Sequence, residues 1–215
     1  EKGDYKKVQG SIHGQLRTQV PPTPDPYQGL PIPAPGTNRK LSLHMTNMGG
    51  GTEVYNLPPG HYTEDWNFDH SDIVNLAPGT YYIDNKNFDI HDQASISGTD
   101  VTIYSAGDHD MHFHTTGSID LTAPTSGTYN GILLMKNPTA HGNFQFEKDS
   151  NFNINGIIYA PGAEVHFKHM DDTLSANISI AASVVSKKLK IDDNSSISIV
   201  GARVNIMRPF LGLVE

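Results

Sequence analysis

The sequence predicts an all-β chain folded as a three-sided parallel β-helix (β-solenoid), wound right-handed. Three observations predict it. Apolar residues come in short runs of about four to six, the length of strands rather than of helices. Short motifs recur at a near-constant period. Within each period, one pair of apolar residues sits two positions apart, as a single face of a strand requires. One such unit cannot bury its own inward face, so the units are expected to stack at strand spacing of about 4.8 Å. The hand follows the general crossover preference.

Residues 1–19 are polar, with one candidate end-coil strand at Val8–Leu16, where Gly10, Ile12, Gly14 and Leu16 alternate with Gln9, Ser11, His13 and Gln15. Residues 20–37 hold Pro21, Pro22, Pro24, Pro26, Pro31, Pro33 and Pro35. Proline gives no N–H to a ladder, so this stretch is expected to be an extended strap; a proline-rich recognition ligand is the rarer alternative. The β-helix is assigned to residues 38–200. It begins with an expected strand over Lys40–Met45 and a flexible turn at Gly49-Gly50-Gly51, which lacks the lysine and helix of a phosphate loop.

From residue 57 the repeat is explicit. Leu57-Pro58-Pro59-Gly60-His61-Tyr62 and Leu76-Ala77-Pro78-Gly79-Thr80-Tyr81 correspond at an offset of 19 (76 minus 57). Gly131-Ile132-Leu133-Leu134-Met135 and Gly156-Ile157-Ile158-Tyr159-Ala160 correspond at 25 (156 minus 131). The first strand position is assigned to Tyr81–Ile83, Val101–Tyr104, Ile132–Met135, Ile157–Tyr159 and Ala181–Val185. The second takes Phe88 and Ile90, Met111 and Phe113, Phe144 and Phe146, Val165 and Phe167, Leu189 and Ile191. The third takes Ile96, Ile119 and Leu121, Phe152 and Ile154, Leu174, Ile197 and Ile199. This register stacks Phe113, Phe146 and Phe167 inside, with Ile90 and Ile191 at the ends. A loop is expected to leave the coil at Pro124–Gly127. Residues 201–215 are read as a C-terminal cap, with Phe210, Leu211, Leu213 and Val214 over the open end.

Composition excludes several function classes. The net charge of −8 gives no basic field for nucleic acid. Without cysteine there are no disulfides, thiolate metal sites or cysteine nucleophiles. No apolar run approaches the roughly 18 residues of a membrane span. The glycine-rich calcium nonapeptide and the Thr-x-Thr ladder of an ice-binding face are both missing. The opening Glu1-Lys2-Gly3-Asp4 suggests a processed or excised part of something longer.

The chain resembles a bacterial family. Leu76–Ile83, Ser95–Tyr104 and Leu121–Gly127 followed by Gly131-Ile132-Leu133 are similar to the β-solenoid at the C-terminal end of TadG/TadE-like and PilX-like pilus-associated proteins. The lead-in Pro24–Pro31 is similar to a proline-rich segment there. The resemblance implies a non-enzymatic structural or adhesive module at the cell surface or outside it, the periplasm being an alternative. Its implied partners are pilus or surface-assembly components, or glycans. It brings no catalytic residues.

The sharpest chemical cluster is Asp108-His109-Asp110-Met111-His112-Phe113-His114. With Met111 and Phe113 inward, His112 and His114 share the outward face, a pattern that suits zinc or copper. The register stacks Asp89 and His91 on one side, then Gln145 and Glu147, then His166 and Lys168. His112, His114, His91, His166 and Glu147 are therefore the candidate metal ligands, against the plainer reading of a solvated, His-rich face. A polysaccharide lyase or hydrolase would need converging acids; Asp171-Asp172 and Asp192-Asp193 fall at expected corners, where acids serve turns. An exposed row of Trp66, Tyr62, Tyr81, Tyr82, Tyr104, Tyr129 and Tyr159 would suit glycan stacking, but alternation assigns most of them to packing.

Overall fold

A computed structural model describes residues 24–147, 151–168, 178–181, 183–192 and 197–199. The candidate strand Val8–Leu16, the third-position Leu174 and the cap at 201–215 lie outside the described residues. The chain is an all-β solenoid of about six turns.

Strand β1 (Asn38–Arg39) leads into a 3₁₀ turn over Leu41–His44, then β2 (Met45–Gly49) and β3 (Thr52–Leu57). The strand expected over Lys40–Met45 is thus a turn for most of its length. The Glu64 carboxylate accepts the Leu41 N–H at 2.9 Å and holds the turn against the next coil. Gly49, Gly50 and Gly51 all take positive φ (82°, 66° and 84°), so β2 doubles back antiparallel on β3. This hairpin covers what would be a bare first edge.

The coils follow. The first is β4 (Gly60–Tyr62), β5 (Trp66–Phe68) and β6 (Ile73–Leu76), and the second β7 (Gly79–Ile83), β8 (Phe88–Asp92) and β9 (Ser95–Gly98). The third is β10 (Val101–Ser105), β11 (Met111–Thr115) and β12 (Ser118–Thr122), and the fourth β13 (Ile132–Lys136), β14 (Phe144–Glu147) and β15 (Asn151–Asn155). Beyond them β16 (Ile157–Lys168) and β18 (Val184–Ile191) each run through the corner between first and second walls, and β17 (Ile178–Ala181) and β19 (Ile197–Ile199) continue the third. Pairing between coils is parallel throughout. Asn85, Asp92 and Asp100 take left-handed backbone between strands, where short polar side chains are tolerated.

The expected register holds in detail, with two corrections. Ala181 belongs to the third wall, where Asn155 faces it and Ile180 follows Ile154; the first wall resumes at Val184. Leu189 and Ile191 align with Val165 and Phe167 but stay 45% and 47% exposed, because among the described strands β18 pairs only with β16. The loop after β12 does leave the coil, closed by Gly131 N–H donating to Pro124 O at 2.7 Å.

Inside, Trp66, Phe88 and Phe113 follow one another up the second wall, and Phe113, Phe146 and Phe167 form the continuous stack. Burying each ring stabilises by roughly 1.5–3 kcal/mol. Tyr62 and Tyr81 are also interior; the Tyr81 hydroxyl donates to the Leu57 and Ala77 carbonyls, both at 2.7 Å.

A second apolar layer lies outside the first wall. Tyr104, Ile132, Met135, Ile157 and Tyr159 are buried there, packed with Tyr27 and Leu30 of the strap. Tyr27 meets Tyr159 edge-on at 5.6 Å, Tyr159 Oη donates to Asp25 Oδ2 at 2.7 Å, and Tyr129 Oη donates to Pro31 O at 3.2 Å. Residues 25–31 of the proline-rich segment thus lie along the first wall, Pro21 and Pro22 falling outside the described residues, and Tyr104 and Tyr159 beneath them are covered rather than presented.

Candidate metal centre

The second wall turns its alternate residues outward. Parallel register puts Asp89 beside His112, His91 beside His114, Gln145 beside His112, His166 beside Gln145, and Lys168 beside Glu147. The polar stripe foreseen from the sequence exists, but its members do not act together.

Three converge. One donor atom from each of Asp89, His112 and His114 lies within 4.8 Å of the other two. His114 Nδ1 stands 3.4 Å from Asp89 Oδ1, and His112 Nε2 stands 3.6 Å from Asp110 Oδ2. Neither approach has hydrogen-bond geometry: Asp89 Oδ1 and His112 Nε2 are buried atoms without a partner. Asp110 is committed elsewhere, accepting the Asn143 N–H at 2.7 Å and the Gln145 amide at 2.5 Å. Burial lowers the His114 pKa, against the pull of the Asp89 carboxylate, and favours the neutral ring. A cleft of about 470 Å³ opens beside the group, lined by Asp65, Asn67, Asn87, Asp89, Asp110 and His112.

The other expected ligands are occupied. His91 packs its ring 5.4 Å from His114, but its Nε2 meets Asn67 Oδ1 at 3.1 Å and its Nδ1 faces Asp92 at 3.6 Å. His166 is buried two strands away, between Asp192 at 3.0 Å and Glu164 at 3.6 Å. Glu147 pairs with Lys168 at 2.8 Å. The register sets Asp89 in the stripe, and its aligned position beside His112 with a carboxylate oxygen lacking a partner brings it into this cluster. Among the paired acids, Asp192 also takes Lys190 at 3.0 Å, while Asp171, Asp172 and Asp193 lie outside the described residues.

Comparison with protein-family models, with curated proteins and with solved structures returned no match. Among the described residues no helix is long and apolar enough to cross a membrane.

Proposed function

We propose that this chain is a non-enzymatic structural module of a bacterial cell surface, a rigid β-solenoid spacer whose third wall is an adhesive face in a pilus-linked assembly. The observation that carries the reading is a row of aligned polar side chains on that wall, bonded in two segments, Asn56 to Ser97 and Asp120 to Asn153. Asn56, Asn75, Ser97, Asp120 and Asn153 align across five coils. Asn75 donates to Asn56 at 3.1 Å, Ser97 to Asn75 at 3.3 Å, and Asn153 to Asp120 at 2.9 Å. Side chains bonded along the stack form a flat, ordered array of amides and hydroxyls at a repeat of about 4.8 Å, a spacing suited to the hydroxyls of a glycan or to the polar rim of another rod. The resemblance of Leu76–Ile83 and Ser95–Tyr104 to pilus-associated solenoids supplies the cellular setting.

A glycan array tests the adhesive face. Retention of a defined glycan by the wild type, lost on Asp120→Lys and kept on Lys86→Glu, a change at the corner between the other two walls, is the expected result. Release of oligosaccharides from an acidic polysaccharide by the wild type would instead place the chain among lyases or hydrolases and end the non-enzymatic reading.

A further inference from the structure

We propose that Asp89, His112 and His114 bind one divalent transition-metal ion of the zinc class, joining two neighbouring coils; this stands independently of the surface-module reading. Asp89 comes from β8 and the two histidines from β11, so an ion here would bridge adjacent turns.

Four observations meet at this point. The donors already cluster within 4.8 Å. The His114 Nδ1 to Asp89 Oδ1 distance of 3.4 Å matches the edge of a tetrahedron whose ligands sit about 2.0–2.1 Å from zinc. Two buried polar atoms, Asp89 Oδ1 and His112 Nε2, have no protein partner, although native folds satisfy nearly all such groups. Asp110, the other carboxylate near His112, is tied up by Gln145 and Asn143, so it supports the site from outside without closing it. Elsewhere on the same wall Glu147 pairs with Lys168 and Glu164 with Lys188, and His166 Nε2, also without a hydrogen-bond partner, has the Asp192 carboxylate at 3.0 Å.

The donor set selects the metal. Two imidazoles and one carboxylate suit zinc, cobalt, nickel or copper, whereas calcium and magnesium require mostly oxygen. Three protein ligands leave a fourth position facing the cleft for water or a small anion.

Titration calorimetry with zinc chloride tests the site, using the wild type, Asp89→Asn, His112→Gln and His114→Gln, with His91→Gln and His166→Gln as controls. All lie on outward positions of the second wall, His166 being buried there among its neighbours, and circular dichroism confirms each fold first. One zinc per chain is expected, weakened by more than about tenfold in each of the three ligand variants and little changed in the controls. Cobalt in place of zinc is expected to give visible absorption bands of a four- or five-coordinate ion that vanish in His112→Gln. Zinc is expected to raise the wild-type unfolding midpoint, because the three donors converge only in the folded chain. Absence of saturable 1:1 uptake overturns the proposal, as does uptake indifferent to Asp89→Asn and His112→Gln. Equal competition by millimolar calcium overturns the assigned metal class.

Discussion

The Phe146 ring lies flat on the Phe113 ring, with centroids 5.0 Å apart and planes 8° from parallel. On the other side Phe167 stacks at 4.9 Å, and Phe152 meets Phe146 edge-on at 5.8 Å. Phe146 is thus enclosed by aromatic neighbours from its own coil and both adjoining ones. Phe146→Ala is expected to cost about 3–5 kcal/mol in urea unfolding. Phe146→Asp buries an unpaired charge in the same place and is expected to yield no soluble folded chain. A well-folded Phe146→Asp protein would refute the register.

Tyr159 ties the strap to the solenoid. Its phenol is pushed above its ordinary range by burial and by the Asp25 carboxylate that accepts its hydrogen bond. Tyr159→Phe removes that charge-assisted bond, worth roughly 1.5–3 kcal/mol, while keeping the ring contact with Tyr27. Limited proteolysis should then cut within residues 24–37 faster than in the wild type and leave the coils intact. Unchanged cleavage would show that the apolar contacts of Tyr27 and Leu30, with the Tyr129–Pro31 bond, fix the strap.

Lys136 is fully buried at the corner between β13 and β14. Its Nζ donates to His109 O at 2.7 Å and Ser105 Oγ at 3.1 Å, and lies 5.4 Å from the centre of the Phe144 ring. Burial lowers its pKa from 10.5 to about 8, with Asp110 and Asp108 opposing the shift. Between those values the unfolded chain holds a proton that the folded chain has released, so this residue makes stability rise with pH across that window. Below about 8 both states are protonated and the penalty, of the order of 3 kcal/mol, is present in full. Urea midpoints from pH 7.5 to 9.5 should therefore climb more steeply for the wild type than for Lys136→Met. Parallel curves would refute the shift.

Gly156 takes φ +147°, and a Cβ there would stand 2.6 Å from Ala123 Cβ and 2.8 Å from Leu133 Cβ. Both obstacles are rigid stems rather than flexible tips. Gly156→Ala is expected to destabilise by about 1–3 kcal/mol, read as a lowered melting temperature. Gly127→Ala is the useful contrast: it shares a positive φ of +82° but meets nothing within 4 Å, so it reports the backbone strain alone.

The solenoid was legible because its inward residues obey two simple periods at once. Met111 and Phe113 lie two apart along a strand, and Phe113, Phe146 and Phe167 repeat between strands in a register that pairing then reproduces. The turn at Leu41–His44 was not legible, since Leu41 and Leu43 alternate as a strand would, and only the distant Glu64 carboxylate decides otherwise. The boundary at Ala181 was missed for a similar reason: Ile178-Ser179-Ile180-Ala181 and Val184-Val185 are both apolar, and only pairing with Ile154 and Tyr159 separates them. At the site, His112 and His114 were found by alternation. The failure of His166 and Glu147 to join them depends on Asp192, Glu164 and Lys168, side-chain choices that strand period does not encode.

The bond between Tyr159 and Asp25 spans 134 positions of sequence. Closing so long a loop is slow compared with stacking one coil on the next, so the strap is expected to dock after the coils have stacked. In a chain made from its amino end, residues 24–37 emerge before the coils and wait while the surface they will cover is assembled. During that interval Tyr104, Met135 and Tyr159 form an uncovered apolar strip, and the prolines that cannot join a sheet keep the waiting segment from pairing with the nascent strands. On this account the prolines bear on the order of folding as well as on the finished shape.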